Sequence, residues 1–200
     1  MRLIGMLDSP YVRRVAISLK LMGLPFTHES VSVFRQFEHF SAINPLVKAP
    51  TFVADDGTVL MESTVILNYL DTLVPESARL MPAGALAARQ VGVALTAMEK
   101  SVQVYYELTL RPEDKRHLPW MERVSAQMQS AFDLMEGMVG DGKRWLHGGA
   151  PTQPDLCIAI AWRFAQFVLA ERVPAARYPG LVAFSARAEA LPAFVETPLE

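Results

Sequence analysis

The sequence predicts an α/β domain followed by an all-helical one. Over the first 75 residues, apolar runs and helical periodicity alternate as strand, helix, strand and then strand, strand, helix. Beyond residue 84 no convincing strand recurs, and every patterned segment has helical spacing. Between the two lies Val74-Pro75-Glu76-Ser77 through Met81-Pro82-Ala83-Gly84, a proline- and glycine-punctuated stretch that reads as a linker. The expected organisation is residues 1–75, a linker over 76–84, and helices over 85–200.

The first element, residues 2–7, is a short apolar run suited to a buried strand and ended by Asp8-Ser9-Pro10. That triplet starts a helix. Asp8 or Ser9 takes the N-cap, and Pro10 sits in the first turn, where its missing N–H costs nothing. Val12, Val15, Ala16, Leu19 and Met22 recur at helical spacing up to Gly23, a C-terminal stop. Arg13 and Arg14 on this helix read either as solvated side chains or as neighbours of an anionic ligand. Residues 26–33 form the next strand, and strand–helix–strand order favours parallel pairing through a right-handed crossover. Residues 34–40 pattern poorly and suit one or two helical turns.

The segment Asn44-Pro45-Leu46-Val47-Lys48-Ala49-Pro50 leads into the strand Thr51-Phe52-Val53. Asp55-Asp56-Gly57 turns the chain, and Val59-Leu60 is the partner strand. Pro50 has no amide hydrogen, so it is no ordinary ladder residue, and a cis Ala49–Pro50 bond accounts for its place. A bend of that kind turns the N–H and C=O of Ala49 outward, where an extended peptide can pair with them. A helix then opens at Glu62-Ser63, with Val65, Ile66, Tyr69, Leu70 and Leu73 on one face.

In the second half, residues 85–110 and 119–139 read as long amphipathic helices, the latter ended by Gly140-Asp141-Gly142. Thr152 and Asp155 form a capping box that opens an apolar, buried helix, and one more helix spans 179–191.

Composition narrows the functional classes. The net charge is −2 with scattered basic residues, so there is no nucleic-acid footprint. The longest apolar run, 156–162, meets Arg163 well short of a membrane span, and residues 1–7 are too short for a signal peptide. One cysteine, Cys157, excludes an intrachain disulfide and fits a reducing cytoplasm. His28, His39, His117 and His147 have no metal-ligand spacing, so no metal is expected.

Taken together, this order resembles the glutathione S-transferase family, in the bacterial-type form with a serine at the thiol-activating position. Ser9-Pro10-Tyr11-Val12-Arg13, the Asn44 to Pro50 segment, Glu62-Ser63, and Thr152 to Asp155 match four family signatures in order, and the resemblance covers the whole chain. It implies a thioredoxin-like N-terminal domain that binds glutathione as co-substrate. It also implies a helical domain lining the pocket of a small hydrophobic electrophile, a homodimer, a cytoplasmic location and a detoxifying transferase activity.

The resemblance assigns Glu62 to the γ-glutamyl ammonium, Ser63 to its carboxylate, and the main chain of Ala49 to the cysteinyl unit. Elementary chemistry agrees, because a helix N-terminus offers N–H groups and a positive dipole end to an anion. Lys48 is assigned to the glycyl carboxylate, with Arg35 and His39 as competitors. Ser9 is assigned the reaction itself. Its hydroxyl donates to the glutathione sulfur, and a hydrogen bond to a charged group is worth about 1.5 to 3 kcal/mol. That lowers a thiol pKa by roughly one to two, enough to ionise most of a thiol near 8.5 at neutral pH. Tyr11 competes for this role, and a helix cap is the plain structural alternative for Ser9, Glu62 and Ser63 alike. The same thiolate also serves isomerisation, dehalogenation or peroxide reduction, and a non-catalytic scaffold with this fold is a further alternative.

Overall fold

The structure is a computed structural model that describes residues 1–199. Its elements follow the expected order: β1 (Arg2–Ile4), α1 (Pro10–Leu21), β2 (Thr27–Glu29), α2 (Phe37–Ile43), β3 (Thr51–Val53), β4 (Val59–Met61) and α3 (Ser63–Asp71). The helices α4 (Ala85–Thr109), α5 (Leu118–Val139), α6 (Gln153–Val168), α7 (Pro179–Glu189) and α8 (Pro192–Val195) complete the chain. The strands are shorter than the apolar runs that foreshadow them, since each ladder closes only three pairs. The poorly patterned region holds α2, three residues further along than expected.

The sheet order is β2-β1-β3-β4. The β1/β2 pair is parallel, as the crossover through α1 requires, and the β1/β3 and β3/β4 pairs are antiparallel. Alternation along β1 sends Leu3 and Ile4 to opposite faces. Leu3 joins Val12, Val15, Leu19, Phe52, Ile66 and Leu70 in the larger core, which packs α1 and α3 against the sheet. Ile4 joins Val31 and Phe40 in the smaller core under α2. The helix α1 stops as a Schellman motif. Gly23, at φ 68°, donates to Lys20 O, and Leu24 donates to Leu19 O at 3.0 Å.

The chain divides into two compact units, one of Met1–Leu80 together with the segment from Ala190 onward, the other of Met81–Glu189. The expected all-helical body over 85–200 therefore ends early. Its last segment, including α8, returns to the first unit, where Phe194 is fully buried and Arg13 of α1 donates to the carbonyls of Phe194 and Thr197. A short amphipathic tail gives little periodicity to read, so a separate α8 was not foreshadowed.

Within the second unit α6 is the central helix, buried at every position from Gln153 to Ala165 except Arg163. The capping box is present as expected: Asp155 accepts the Thr152 N–H at 2.8 Å and the Thr152 hydroxyl at 2.6 Å. Cys157 is a buried core residue. Among the described residues no helix is long and apolar enough to cross a membrane.

Candidate functional site

The candidate residues come from three loops at one end of the sheet, and each loop has an identifiable local cause. The first is the β1–α1 turn. Gly5 has φ 133°, a conformation that an L side chain resists, and a Cβ added there would lie 2.7 Å from Val12 Cγ2 and 3.2 Å from Ala49 Cβ. Only glycine lets the end of β1 approach both α1 and Ala49. His28 holds the Gly5 carbonyl at 2.7 Å through Nε2. The chain then reaches Ser9, which takes the N-cap with φ −67° and ψ 121°, while Pro10 opens the helix. Between the two candidate caps, Asp8 and Ser9, the structure selects Ser9.

The Ser9 hydroxyl oxygen accepts the Val12 N–H at 3.5 Å, the outer limit of a hydrogen bond. This contact uses one lone pair and leaves the O–H as a donor. Ser9 is half-buried.

The second loop precedes β3. Asn44, 1 % exposed, and Thr51, fully buried, build it from inside. Asn44 donates from Nδ2 to Thr51 Oγ1 at 2.8 Å and accepts the Leu46 N–H at 3.0 Å, and the Thr51 hydroxyl donates to Lys48 O at 2.8 Å. Val47 turns the chain at φ 46°, and the Ala49–Pro50 bond is cis. Lys48 projects as an exposed side chain, while Ala49 is half-buried. The Ala49 N–H and C=O hydrogen-bond to no other described residue.

The third loop is the turn from β4 into α3. Glu62 is the N-cap at φ 73°, an uncommon conformation for a residue with a side chain and one often found at functional sites. Its carboxylate oxygens accept the N–H groups of Thr64 and Val65, each at 3.2 Å. Ser63 is 1 % exposed, and its own N–H, an orphan of the first turn, bonds to no described residue.

Arg14 corrects the reading of α1. Arg13 and Arg14 are 1 % and 2 % exposed, not solvated. Arg14 Nη1 donates to Ser63 Oγ and to Thr64 Oγ1, both at 3.0 Å, and so ties α1 to the start of α3. The sequence did carry a signal. Apolar residues flank the pair on both sides, Val12 before it and Val15, Ala16 and Ile17 after it, so a stretch buried on more than one face surrounds the two arginines.

Of the remaining candidates, Arg35 is exposed and reaches the Met6 thioether at 3.3 Å, and His39 is exposed on α2. Among the described residues no group of three or more His, Cys, Asp or Glu side chains is placed to hold a metal ion.

A four-stranded mixed sheet with its proline-entered third strand and three helices, followed by a helical unit, defines the thioredoxin-like-plus-helical class of protein. The comparisons narrow this class. The family model for the glutathione S-transferase N-terminal domain matches residues 3–78, and that for the C-terminal domain matches residues 119–187. The chain belongs to the glutathione S-transferase family. A crystal structure of a glutathione S-transferase from Methylobacterium radiotolerans, in complex with glutathione sulfonate, is 27 % identical with a TM-score of 0.89, covering 100 % of this chain and 95 % of that one. Glutathione S-transferase GstA of Escherichia coli O157:H7 is 24 % identical over 155 residues, 74 % of this chain and 76 % of the relative. Maleylacetoacetate isomerase of Pseudomonas aeruginosa is 35 % identical over 86 residues, 40 % of this chain and 41 % of the relative.

Proposed function

We propose that this chain is a glutathione transferase in which Ser9 stabilises the thiolate of bound glutathione for attack on a small hydrophobic electrophile. The observation that carries the reading is the state of Ser9. Its oxygen accepts one long N–H contact at 3.5 Å, so capping α1 and donating to a sulfur are compatible in the same side chain. The O–H bond to a thiolate is stronger than that to a thiol, and the positive end of the twelve-residue α1 favours the same charge. No general base is required. The thiolate forms the new carbon–sulfur bond, and the displaced group leaves with the electron pair.

The other contacts follow the same reading. Ala49 offers its N–H and C=O to the cysteinyl unit as an added strand would. Ser63 receives the γ-glutamyl carboxylate and Glu62 its ammonium, for which the Glu62 carboxylate retains lone pairs beyond the two N–H groups it caps. Lys48, exposed at the loop tip, meets the glycyl carboxylate, with Arg35 and His39 as competitors. The first unit is thus the glutathione-binding domain of a cytoplasmic homodimer.

A second reading, glutathione-dependent isomerisation with the same thiolate, is favoured by the 35 % identity to maleylacetoacetate isomerase. The test is the pH titration of glutathione thiolate absorbance on the protein, wild type against Ser9→Ala. The reading requires the bound thiol to titrate about one pH unit or more below free glutathione, and Ser9→Ala to remove that difference while still binding. Bound glutathione with an unshifted thiol excludes Ser9 as activator. Turnover of a halogenated aromatic acceptor against a cis-dienoic acid then separates transfer from isomerisation.

A further inference from the structure

The turn that delivers Ser9 is held by a side chain of the neighbouring strand. His28 of β2 stands opposite Leu3 in the parallel register, and its ring reaches forward past the end of β1 to place Nε2 2.7 Å from the Gly5 carbonyl oxygen. A carbonyl only accepts, so Nε2 carries the hydrogen and donates it. The Gly5 N–H is paired with Glu29 O at 3.0 Å. Both polar groups of Gly5 are therefore fastened to β2, one by its main chain and the other by His28.

The clamp sits where the backbone has least stiffness of its own. Glycine supplies the φ of 133° that the close approach to Val12 and Ala49 requires, and the same permissiveness leaves the position free to swing unless its carbonyl is tied. The peptide group is planar, so fixing the Gly5 oxygen also fixes the direction of the Met6 N–H and the path of the chain into the turn. The Met6 carbonyl then accepts the Ser9 N–H at 3.2 Å, and Ser9 caps α1. From the His28 ring to the Ser9 side chain there is thus one clamped peptide and one hydrogen-bonded turn. A second tie, from Arg35 Nη2 to the Met6 thioether at 3.3 Å, is exposed and made to a weak acceptor, so it holds the turn less firmly.

We propose that His28 is a positioning residue for thiol activation: by holding the Gly5 carbonyl it fixes the β1–α1 turn in the geometry that aims the Ser9 hydroxyl at the glutathione sulfur. This rests on the reading of Ser9 given above and adds a residue that acts through it. Hydrogen bonds weaken steeply with misalignment, so a tilt of the turn costs the bond to the thiolate before it costs the binding of the rest of the tripeptide.

The test titrates the thiolate absorbance of glutathione bound to the full chain, with calorimetry of S-methylglutathione, which has no ionisable thiol, beside it. In wild type the bound thiol should titrate about one pH unit or more below free glutathione. His28→Leu keeps apolar bulk but has no donor. It should give back at least about half a pH unit of that difference, about a threefold change in thiol ionisation, while affinity for S-methylglutathione changes less than about threefold. His28→Gln, whose amide offers an N–H near the place of Nε2, should keep most of the difference. Added to Ser9→Ala, His28→Leu should move the titration no further, because its effect passes through that hydroxyl. An unchanged titration in His28→Leu overturns the proposal, as does an equal response of His28→Leu and His28→Gln. A loss of S-methylglutathione affinity as large as the change in thiol ionisation marks a merely structural residue and overturns it too, as does a further shift in the Ser9→Ala background. If His28→Leu does not fold, His28→Asn, whose amide is one methylene shorter than that of Gln, takes its place with the same expectations. A wild-type thiol without any shift, or a shift that Ser9→Ala leaves intact, overturns the reading of Ser9 and this proposal with it. Failure of His28→Leu beside an intact Ser9→Ala effect overturns the positioning role alone.

Discussion

The Arg13 guanidinium, 1 % exposed, donates from Nε to the Thr197 carbonyl at 2.8 Å, although 184 residues separate the two. It also donates to Phe194 O at 3.5 Å, and its Cζ stands 5.3 Å from the Phe194 ring centroid. The segment from Ala190 thus ends on the helix that carries Ser9 at its N-terminus. Replacing Arg13 with Met keeps most of the volume and removes the donors, leaving the Thr197 carbonyl without the guanidinium while Phe194 O keeps the Thr197 N–H. A loss of about 2 to 4 kcal/mol is expected in urea unfolding. Hydrogen exchange should accelerate at 193–197 more than in α4 to α6. Unchanged exchange in the tail would mean that apolar burial of Phe194 alone holds it.

Gly5→Ala should be among the more harmful single-methyl changes in the first unit. The added Cβ meets Val12 Cγ2 at 2.7 Å in a backbone at φ 133°. Strained backbone at such a residue costs on the order of 1–3 kcal/mol, and overpacking adds a similar amount. Gly57→Ala is the control, since φ there is also positive, 87°, but the space is open. It should lose only the backbone share. Equal losses in the two variants would show that the close approach to Val12 and Ala49 relaxes freely.

Several of these features were legible before any coordinates. The cap at Ser9, the helix stop at Gly23, the proline-entered strand and the capping box are local, each fixed by a few neighbouring side chains and the backbone groups beside them. What escaped depends on contacts distant in sequence. Arg14 meets Ser63 across 49 positions and Arg13 meets Thr197 across 184, and neither pairing leaves a periodicity. Asn44 and Thr51 are closer in sequence, yet their bond links a polar residue of the loop to a polar residue that opens β3, and exposure is the ordinary expectation for such side chains. The strands ran short for a physical reason. An apolar run reports burial, whereas strand ends are set by where ladder pairing stops, here after three residues.

Asp155 carries more than a helix cap. It is fully buried and accepts the N–H groups of Leu146 at 2.7 Å and Thr152 at 2.8 Å as well as the Thr152 hydroxyl. It therefore fastens the loop before α6 to the first turn of that helix. Asp155→Ala strands two main-chain donors, each costing about 1–3 kcal/mol, so a loss of about 2–6 kcal/mol is expected in thermal or urea unfolding. Soluble yield should fall before glutathione affinity does. A variant with wild-type stability and weakened glutathione binding would reverse that assignment.

Tyr178 gives the second unit a defined response to alkali. Burial pushes its phenol up to about 12 from the ordinary 10.0, with further support from the hydrogen bond that its hydroxyl donates to Asp133 Oδ1 at 2.9 Å. The sign follows from which state ionises first. In the unfolded chain the phenol loses its proton near pH 10, whereas the folded phenol keeps it until about 12, so over that interval deprotonation favours unfolding. The stabilisation is complete below pH 10 and disappears as the pH rises through about 12, with a slope of at most about 1.4 kcal/mol per pH unit. Urea unfolding of wild type and Tyr178→Phe between pH 9 and 12 isolates this one group from the other tyrosines. The stability difference between the two should shift in favour of Tyr178→Phe by up to about 2 to 3 kcal/mol across the interval. A difference that stays constant with pH would mean that the folded phenol titrates as it does in the open chain, and that neither burial nor Asp133 holds its proton.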